Sequence, residues 1–474
     1  MSTMQGSDVF DVVVIGSGPG GYVAAIKAGQ LGLKTALVER DTRFGGTCLL
    51  RGCIPTKALL ESAEIIDHAR EAHEFGIKIE GTPSVDLTGV HKRKDKVVAQ
   101  NAGGVAFLLK KNKVQTFAGH GRIAGPGAVT VTGADGAVKH LTTRNVILAT
   151  GSAPRILPHL PVDGLRVLTS DELLELREMP RHLLVLGAGG VGVEFASVYA
   201  SFGCKVTVVE LMDRLVPVED DEVSAEFEKI FRRRGIEVLT STKLAAVEVS
   251  ADGVTARLER EGKEPFSLTA SHLLVAVGRR PVTEDCGLDT TNIVADRGFI
   301  AVDGFQRTTQ AGVYAIGDIV AGKPQLAHAA SNEAIVAVEH LAGLDPPPIL
   351  WDQCPGCTYS QPEIGSVGLT EREARRRGYK VKTGKFPFSA IGKAKIMNNT
   401  AGFVKFVVDE ACHDQILGVH IIGPRATDLI AEAGPLLRNE FTLEELARTI
   451  HAHPTLSEAV VEAAHATLGQ AIHL

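Results

Sequence analysis

No apolar stretch in the 474 residues approaches the length needed to cross a bilayer, which excludes a membrane-spanning reading. The polar segment Met1–Asp8 has no basic n-region, no apolar h-region and no Arg-rich transit pattern. An excess of one charge is also lacking. A net charge of −6 gives no electrostatic reason for a nucleic-acid or membrane partner. The one basic cluster, His91-Lys92-Arg93-Lys94-Asp95-Lys96, has no interleaved aromatics on which bases could stack, and reads as a solvated helix face. Cysteines are few, and their number is odd: Cys48, Cys53, Cys204, Cys286, Cys354, Cys357 and Cys412. That count argues against a structural disulfide framework and for a reducing, cytoplasmic setting. No metal site is expected. Cys354-Pro-Gly-Cys357 has C-x-x-C spacing but neither a second ligand pair nor a βαβ context, and reads as incidental.

Glycine, by contrast, is plentiful at 50 residues, and the length suggests roughly three or four domains. The first strong signal is Asp11-Val-Val-Val-Ile-Gly16-Ser-Gly18-Pro-Gly-Gly21, an apolar strand running into a G-x-G-x-x-G turn. A small-residue helix follows around Val23 to Leu31, then a strand Thr35 to Val38 ending at Glu39. Gly16 permits the tight turn, Gly18 lets backbone approach a pyrophosphate, and Gly21 lets helix and strand pack closely. The helix N-terminus favours phosphate charge, and Glu39 stands where a ribose hydroxyl is held. The unit repeats with Gly187, Gly189 and Gly192, then a strand Lys205 to Val209 ending at Glu210. Both acids lie at the same spacing from the first glycine of their units. A duplicated packing turn would need no such acids. Two dinucleotide sites imply two dinucleotides, or one cofactor and one co-substrate. Glu210 favours NAD over NADP, because a 2′-phosphate would be repelled there; Arg214 is the only basic residue nearby. Strands ending at Thr150-Gly151, Gly278-Arg279 and Gly317-Asp318 recur at the ends of the nucleotide segments and point to ligand contact.

Gly45-Gly46-Thr47-Cys48-Leu49-Leu50-Arg51-Gly52-Cys53-Ile54-Pro55-Thr56-Lys57 follows the first unit closely enough to fold over its ligand. A turn at Gly52 can bring the two thiols together. Helical pattern resumes at Ile54-Pro55, with Pro suited to a first turn. A thiolate at a helix start is stabilised. Inert burial and metal binding are the competing readings. Spacing and position fit a redox disulfide beside a cofactor.

This segment resembles the active-site signature of the pyridine nucleotide-disulfide oxidoreductases, and the resemblance extends over essentially the whole chain. It implies an α/β fold with two Rossmann-like dinucleotide-binding domains, a central domain and an α+β C-terminal dimerisation domain. The boundaries expected are 1–152 for FAD with the cysteine pair, 153–281 for NAD, 282–350 for the central domain completing the FAD site, and 351–474 for the interface. His451-Ala-His453-Pro454-Thr455-Leu456-Ser457-Glu458 is similar to the motif of members that oxidise dihydrolipoyl groups, and the extra C-terminal cysteines of other members are absent. The resemblance implies that Cys48 exchanges with substrate, that Cys53 faces the flavin, and that His453, oriented by Glu458, is the base. It pairs Lys57 with Glu194 beside the flavin and sets Asp318 at the FAD ribityl chain. It further implies a homodimer in which His453 serves the other copy's cysteines, and a cis His453-Pro454 bond. The partner implied is a lipoyl-bearing protein of a 2-oxo-acid dehydrogenase or glycine cleavage complex, separate from this chain. The alternatives are a nicotinamide-driven reductase of another disulfide or a mercuric substrate, and an assembly subunit with a vestigial centre. Thr455-x-x-Glu458 is also a capping-box pattern, and one carboxylate has acceptor sites enough for both roles. One departure stands out: Leu50-Arg51, where many relatives carry Asn-Val.

Overall fold

The computed structural model describes residues 9–473; the leader reading made on Met1–Asp8 lies outside them. Two compact units result, each assembled from separated stretches of chain. One comprises the residues up to Ala58, His91–Arg155 and Arg279–Ile349. The other comprises Leu59–Val90, Ile156–Gly278 and the chain from Leu350 onward.

The first unit is built on a sheet whose centre is Val9–Ile15, flanked in parallel by Thr35–Glu39 and Val138–Leu148. Near-continuous burial of the first two strands is what a sheet covered on both faces demands. Gln115–Ala118 extends one edge in parallel. On the other side, His120–Ile123 and Ala128–Thr132 form an antiparallel extension of Val138–Leu148. Val313–Ala315 then returns from far along the chain to pair in parallel with Val146, Ile147 and Leu148. The helix Pro19–Gln30 buries Gly20, Gly21, Ala24, Ala25 and Ala28, side chains small enough for close packing.

The long helix Leu87–Lys111 corrects one expectation. His91 and Lys94 of the basic cluster are buried, on the same stripe as Val98, Ala102, Val105 and Leu109. Only Lys92, Arg93, Asp95 and Lys96 are solvated. The reason is the helical period, since residues three and four apart share a face. The aliphatic stem of a lysine also packs as an apolar group.

In the second unit a five-stranded parallel sheet runs in the order Glu237–Leu239, Lys205–Val209, His182–Leu186, His272–Val275 and Val167–Leu168. An antiparallel trio, Thr242–Ser250, Gly253–Arg260 and Phe266–Ala270, is inserted in sequence between its strands Glu237–Leu239 and His272–Val275. The C-terminal part has an antiparallel sheet in the order Gly356–Thr358, Glu363–Gly368, Gln415–Gly423, Phe403–Asp409 and Val381–Pro387. Helices Ala426–Arg438 and Glu458–Thr467 pack on this sheet. Buried Lys405 reaches Asp220 at 2.9 Å and Glu222 and Glu371 at 2.8 Å, tying the start of helix Asp221–Arg233 to the sheet. Among the described residues no helix is long and apolar enough to cross a membrane.

Candidate active site

The two glycine turns adopt one geometry. Gly16 and Gly187 have φ of 101° and 99°, a left-handed backbone costly for any residue with a Cβ. A Cβ on Gly21 would stand 1.9 Å from Gly16 O, and one on Gly192 would stand 2.0 Å from Gly187 O. The third glycine therefore sets how closely helix and strand meet. Gly18 and Gly189 behave differently: a Cβ there would meet nothing within 4 Å. Each is the N-cap of its helix, Pro19–Gln30 or Gly190–Ser201. The chain so leaves open ground in front of two helix N-termini, which fits the pyrophosphates of two dinucleotides.

The acids do more than face a ribose. Glu39 Oε2 accepts from Ser17 N and Ser17 Oγ at 2.8 and 2.5 Å, and its Oε1 accepts from Asp41 N at 2.8 Å. In the second unit Glu210 Oε2 accepts from Ala188 N at 2.7 Å and its Oε1 from Met212 N at 2.8 Å. Each carboxylate fastens the middle of its glycine turn and still has lone pairs for a hydroxyl. Arg214 ion-pairs with Asp221 at 2.7 Å and donates to Pro217 O, so its charge is already engaged.

Cys48 and Cys53 lie on two helices, Gly46–Arg51 and Cys53–Glu71, separated only by Gly52. Cys53 is the first residue of its helix, one residue earlier than the sequence pattern suggests, and Pro55 sits in the first turn. Both cysteines are partly exposed. A side-chain hydrogen bond to Cys53 pushes the Cys48 thiol well up; burial and the charge at Cys53 add to this, while Lys57 and the Cys53 amide oppose it. Cys53 opens its helix, where the macrodipole favours negative charge. Burial and the nearby Cys48 also raise the phenol of Tyr22. A Cβ on Gly46 would stand 2.6 Å from Gly18 Cα, so the cysteine segment lies directly on the first glycine turn.

Asp318, in the short helical turn Gly317–Ile319, accepts from Ser152 Oγ. Arg279 donates to Ser152 Oγ at 2.7 Å and to Ser152 O at 2.9 Å. Gly151 has φ of 73°, and its carbonyl accepts from Val282 N. Gly151 and Asp318 are thereby joined through Ser152, and the Gly278-Arg279 junction reaches the same place through Arg279. Glu333 was not legible as part of this group. From helix Ala327–Leu341 it accepts the Gly317 N–H. Burial pushes its carboxyl up to about 8, against the Gly317 hydrogen bond and with the charge of Asp318 adding to the rise.

The second unit holds Glu194, His453 and Glu458. Glu194 is buried on helix Gly190–Ser201 and accepts from Tyr359 N at 3.0 Å. His453 Nδ1 lies 2.7 Å from Glu458 Oε1, and Thr455 N donates to Glu458 Oε2 at 2.8 Å. One carboxylate thus orients the imidazole and back-bonds to Thr455 at once, the Thr455 hydroxyl turning instead to Ala452 O. Burial opposes the charge on Glu458, but His453 and the Thr455 amide outweigh it and hold the carboxyl below its usual range. The His453-Pro454 bond is cis, as the family resemblance implies. Cys354 ends the short turn Trp351–Gln353, and Cys357 lies in strand Gly356–Thr358. No group of three or more metal-ligating side chains occurs among the described residues.

Glu333 carries a pH prediction. Its folded pKa lies above the unfolded value, so the unfolded chain binds fewer protons and stability falls as pH rises from about 4.5 to about 8. Glu333→Gln keeps an acceptor for Gly317 without the titration. Thermal unfolding should show the variant equal to the parent near pH 5 and more stable near pH 8.

Comparison with known proteins shows the family. The family described as "Pyridine nucleotide-disulphide oxidoreductase" matches residues 10–334, and its dimerisation domain matches residues 354–464. A dihydrolipoyl dehydrogenase of Bacillus subtilis is 48% identical, over 98% of this chain and 99% of its own length. A leghemoglobin reductase of Vigna unguiculata is 43% identical, over 98% of this chain and 88% of its own. The crystal structure of LpdA from Mycobacterium tuberculosis superposes with a TM-score of 0.89 at 30% identity, covering 96% of this chain and 99% of that one. The chain belongs to the pyridine nucleotide-disulphide oxidoreductases.

Proposed function

We propose that the protein is a flavoprotein that oxidises protein-bound dihydrolipoyl groups to the lipoyl disulfide, with NAD⁺ as final acceptor. The observation that carries this reading is the Cys48–Cys53 side-chain contact at the start of helix Cys53–Glu71, in a chain 48% identical to a dihydrolipoyl dehydrogenase. FAD is assigned to the Gly16-Gly18-Gly21 turn with Glu39, Gly151, Lys57 and Asp318. NAD is assigned to Gly187-Gly189-Gly192 with Glu210 and Gly278. When bound, these groups take up the electron pair delivered to the cysteines and carry it away as hydride.

The residues divide the remaining work. His453, its Nδ1 held by Glu458, has Nε2 available to take a proton from a substrate thiol. The substrate thiolate attacks Cys48 of the Cys48–Cys53 disulfide; the S–S bond breaks and Cys53 leaves as thiolate. The second substrate thiol then attacks the first substrate sulfur; the substrate disulfide closes, Cys48 is expelled, and the proton of that second thiol passes to Cys48. Two electrons have passed from substrate to the cysteine pair, with one substrate proton on His453 and the other on Cys48. Helix dipole and position favour charge on Cys53, which suits it to the cofactor side. Lys57, whose charge also acts on Cys48, would meet negative charge there.

The reading includes a homodimer, supported by the dimerisation-domain match, in which His453 serves the cysteines of a second copy. The substrate arrives on a lipoyl-bearing protein of a 2-oxo-acid dehydrogenase or glycine cleavage complex, in the cytoplasm.

Three measurements test the assignment. Cys48→Ser should retain flavin and lose dihydrolipoamide-dependent NADH formation; full turnover would remove the cysteine pair from the mechanism. His453→Gln should lower kcat about 10²- to 10⁴-fold, the usual range for a lost general acid–base. Replacing NAD⁺ by NADP⁺ should lower kcat/KM about tenfold or more, because the buried Glu210 carboxylate repels a 2′-phosphate; equal efficiency would discredit the role given to Glu210.

A further inference from the structure

Arg51 lies between the two cysteines, yet its side chain is directed away from them. Its guanidinium forms an ion pair with Asp41, two residues past Glu39. The helix Gly46–Arg51 is also tied at its other end, where Gly45 N donates to Ser17 Oγ and to Ser17 O, each at 3.1 Å. Asp41 and Ser17 in turn donate their backbone N–H groups to Glu39 Oε1 and Oε2, each at 2.8 Å. Both ends of the helix that bears Cys48 therefore lead back to one buried carboxylate.

That closure matters because the helix is six residues long, far below the length at which a helix is stable alone. Leu49 and Leu50 pack in the core and Thr47 Oγ1 donates to Ser152 O at 3.3 Å, and the end contacts complete its placement. We infer that Arg51 and Asp41 are a positioning pair that couples occupancy of the nucleotide site at Glu39 to the placement of Cys48. The inference rests on the assignment of FAD to this unit. A ribose hydroxyl bound at Glu39 would steady Ser17 and Asp41 together, and through them both ends of the helix. Loss of either end contact would loosen the thiol and the nucleotide at once.

The test uses flavin-loaded protein and two readouts independent of turnover: the rate of flavin release, followed by fluorescence, and the rate at which iodoacetamide alkylates Cys48 after reduction. Arg51→Leu and Asp41→Asn should each speed both processes about three- to fivefold, the range of a half-exposed ion pair. The double variant should be no faster than either single one, because the two residues act as one contact. Arg51→Lys, which keeps the charge, should stay nearer the parent than Arg51→Leu, and it carries the test if Arg51→Leu does not fold. Single variants that match the parent in both readouts would overturn the inference, as would a double variant whose effect is the product of the two. A parent protein that holds no flavin would instead refute the cofactor assignment.

Discussion

The carboxylate at the end of the second strand is the constraint on which both nucleotide units depend. Glu39 and Glu210 reach back to the middle residue of their glycine turns, at Ser17 N and Ala188 N, and forward to the amide two residues on. A tight turn with exposed backbone donors would otherwise have several shapes open to it. Two charge-assisted bonds from one buried group select the shape in which the helix N-terminus faces open ground. The first and third glycines make that shape sterically possible, and the acid makes it the one adopted. The same arrangement appears twice in one chain, so it reflects the requirement of the turn and not an accident of one loop.

In the first unit the consequence extends to the cysteines. Gly46 rests on Gly18, Gly45 donates to Ser17, and Gly52 breaks the chain into two helices so that Cys48 and Cys53 meet. The two sulfurs differ in backbone position: one sits within a six-residue helix, the other opens a 19-residue helix. Glu333 and the Arg279–Ser152–Asp318 chain shape the neighbouring Gly317–Ile319 turn in a similar way, with a buried acid on one side and a hydroxyl relay on the other. The His453–Glu458 pair is organised by different means, since a single carboxylate with two oxygens can fix both an imidazole and a backbone amide.

Much of this was legible before any coordinates. The glycine turns, their acids, the cysteine segment and the His-Pro-Thr motif are local patterns, and the chemistry that selects them acts over a few residues. The Thr455-x-x-Glu458 capping box is not formed: the helix begins at Glu458 with Ser457 as its N-cap, the Thr455 hydroxyl turns to Ala452 O, and only the bond from Thr455 N to Glu458 remains of the pattern. His91 and Lys94 were misread as solvated, because burial of one helix stripe is decided by what packs against it and not by the charge in the sequence. Glu333 was invisible for a related reason: a lone acid on a helix reads as surface until the Gly317 amide is placed above it.

By itself the sequence determined the two βαβ units and the family, because these depend on residue types at short, fixed spacings. Only the tertiary structure decided that Val313–Ala315 returns to the strand Val138–Leu148, that both oxygens of Glu39 and Glu210 bond to the turns, that Cys48 and Cys53 meet, and that Arg51 reaches Asp41. Each of these is a choice among partners that are distant in sequence or chemically equivalent. Such choices are settled by which groups packing brings within hydrogen-bonding distance.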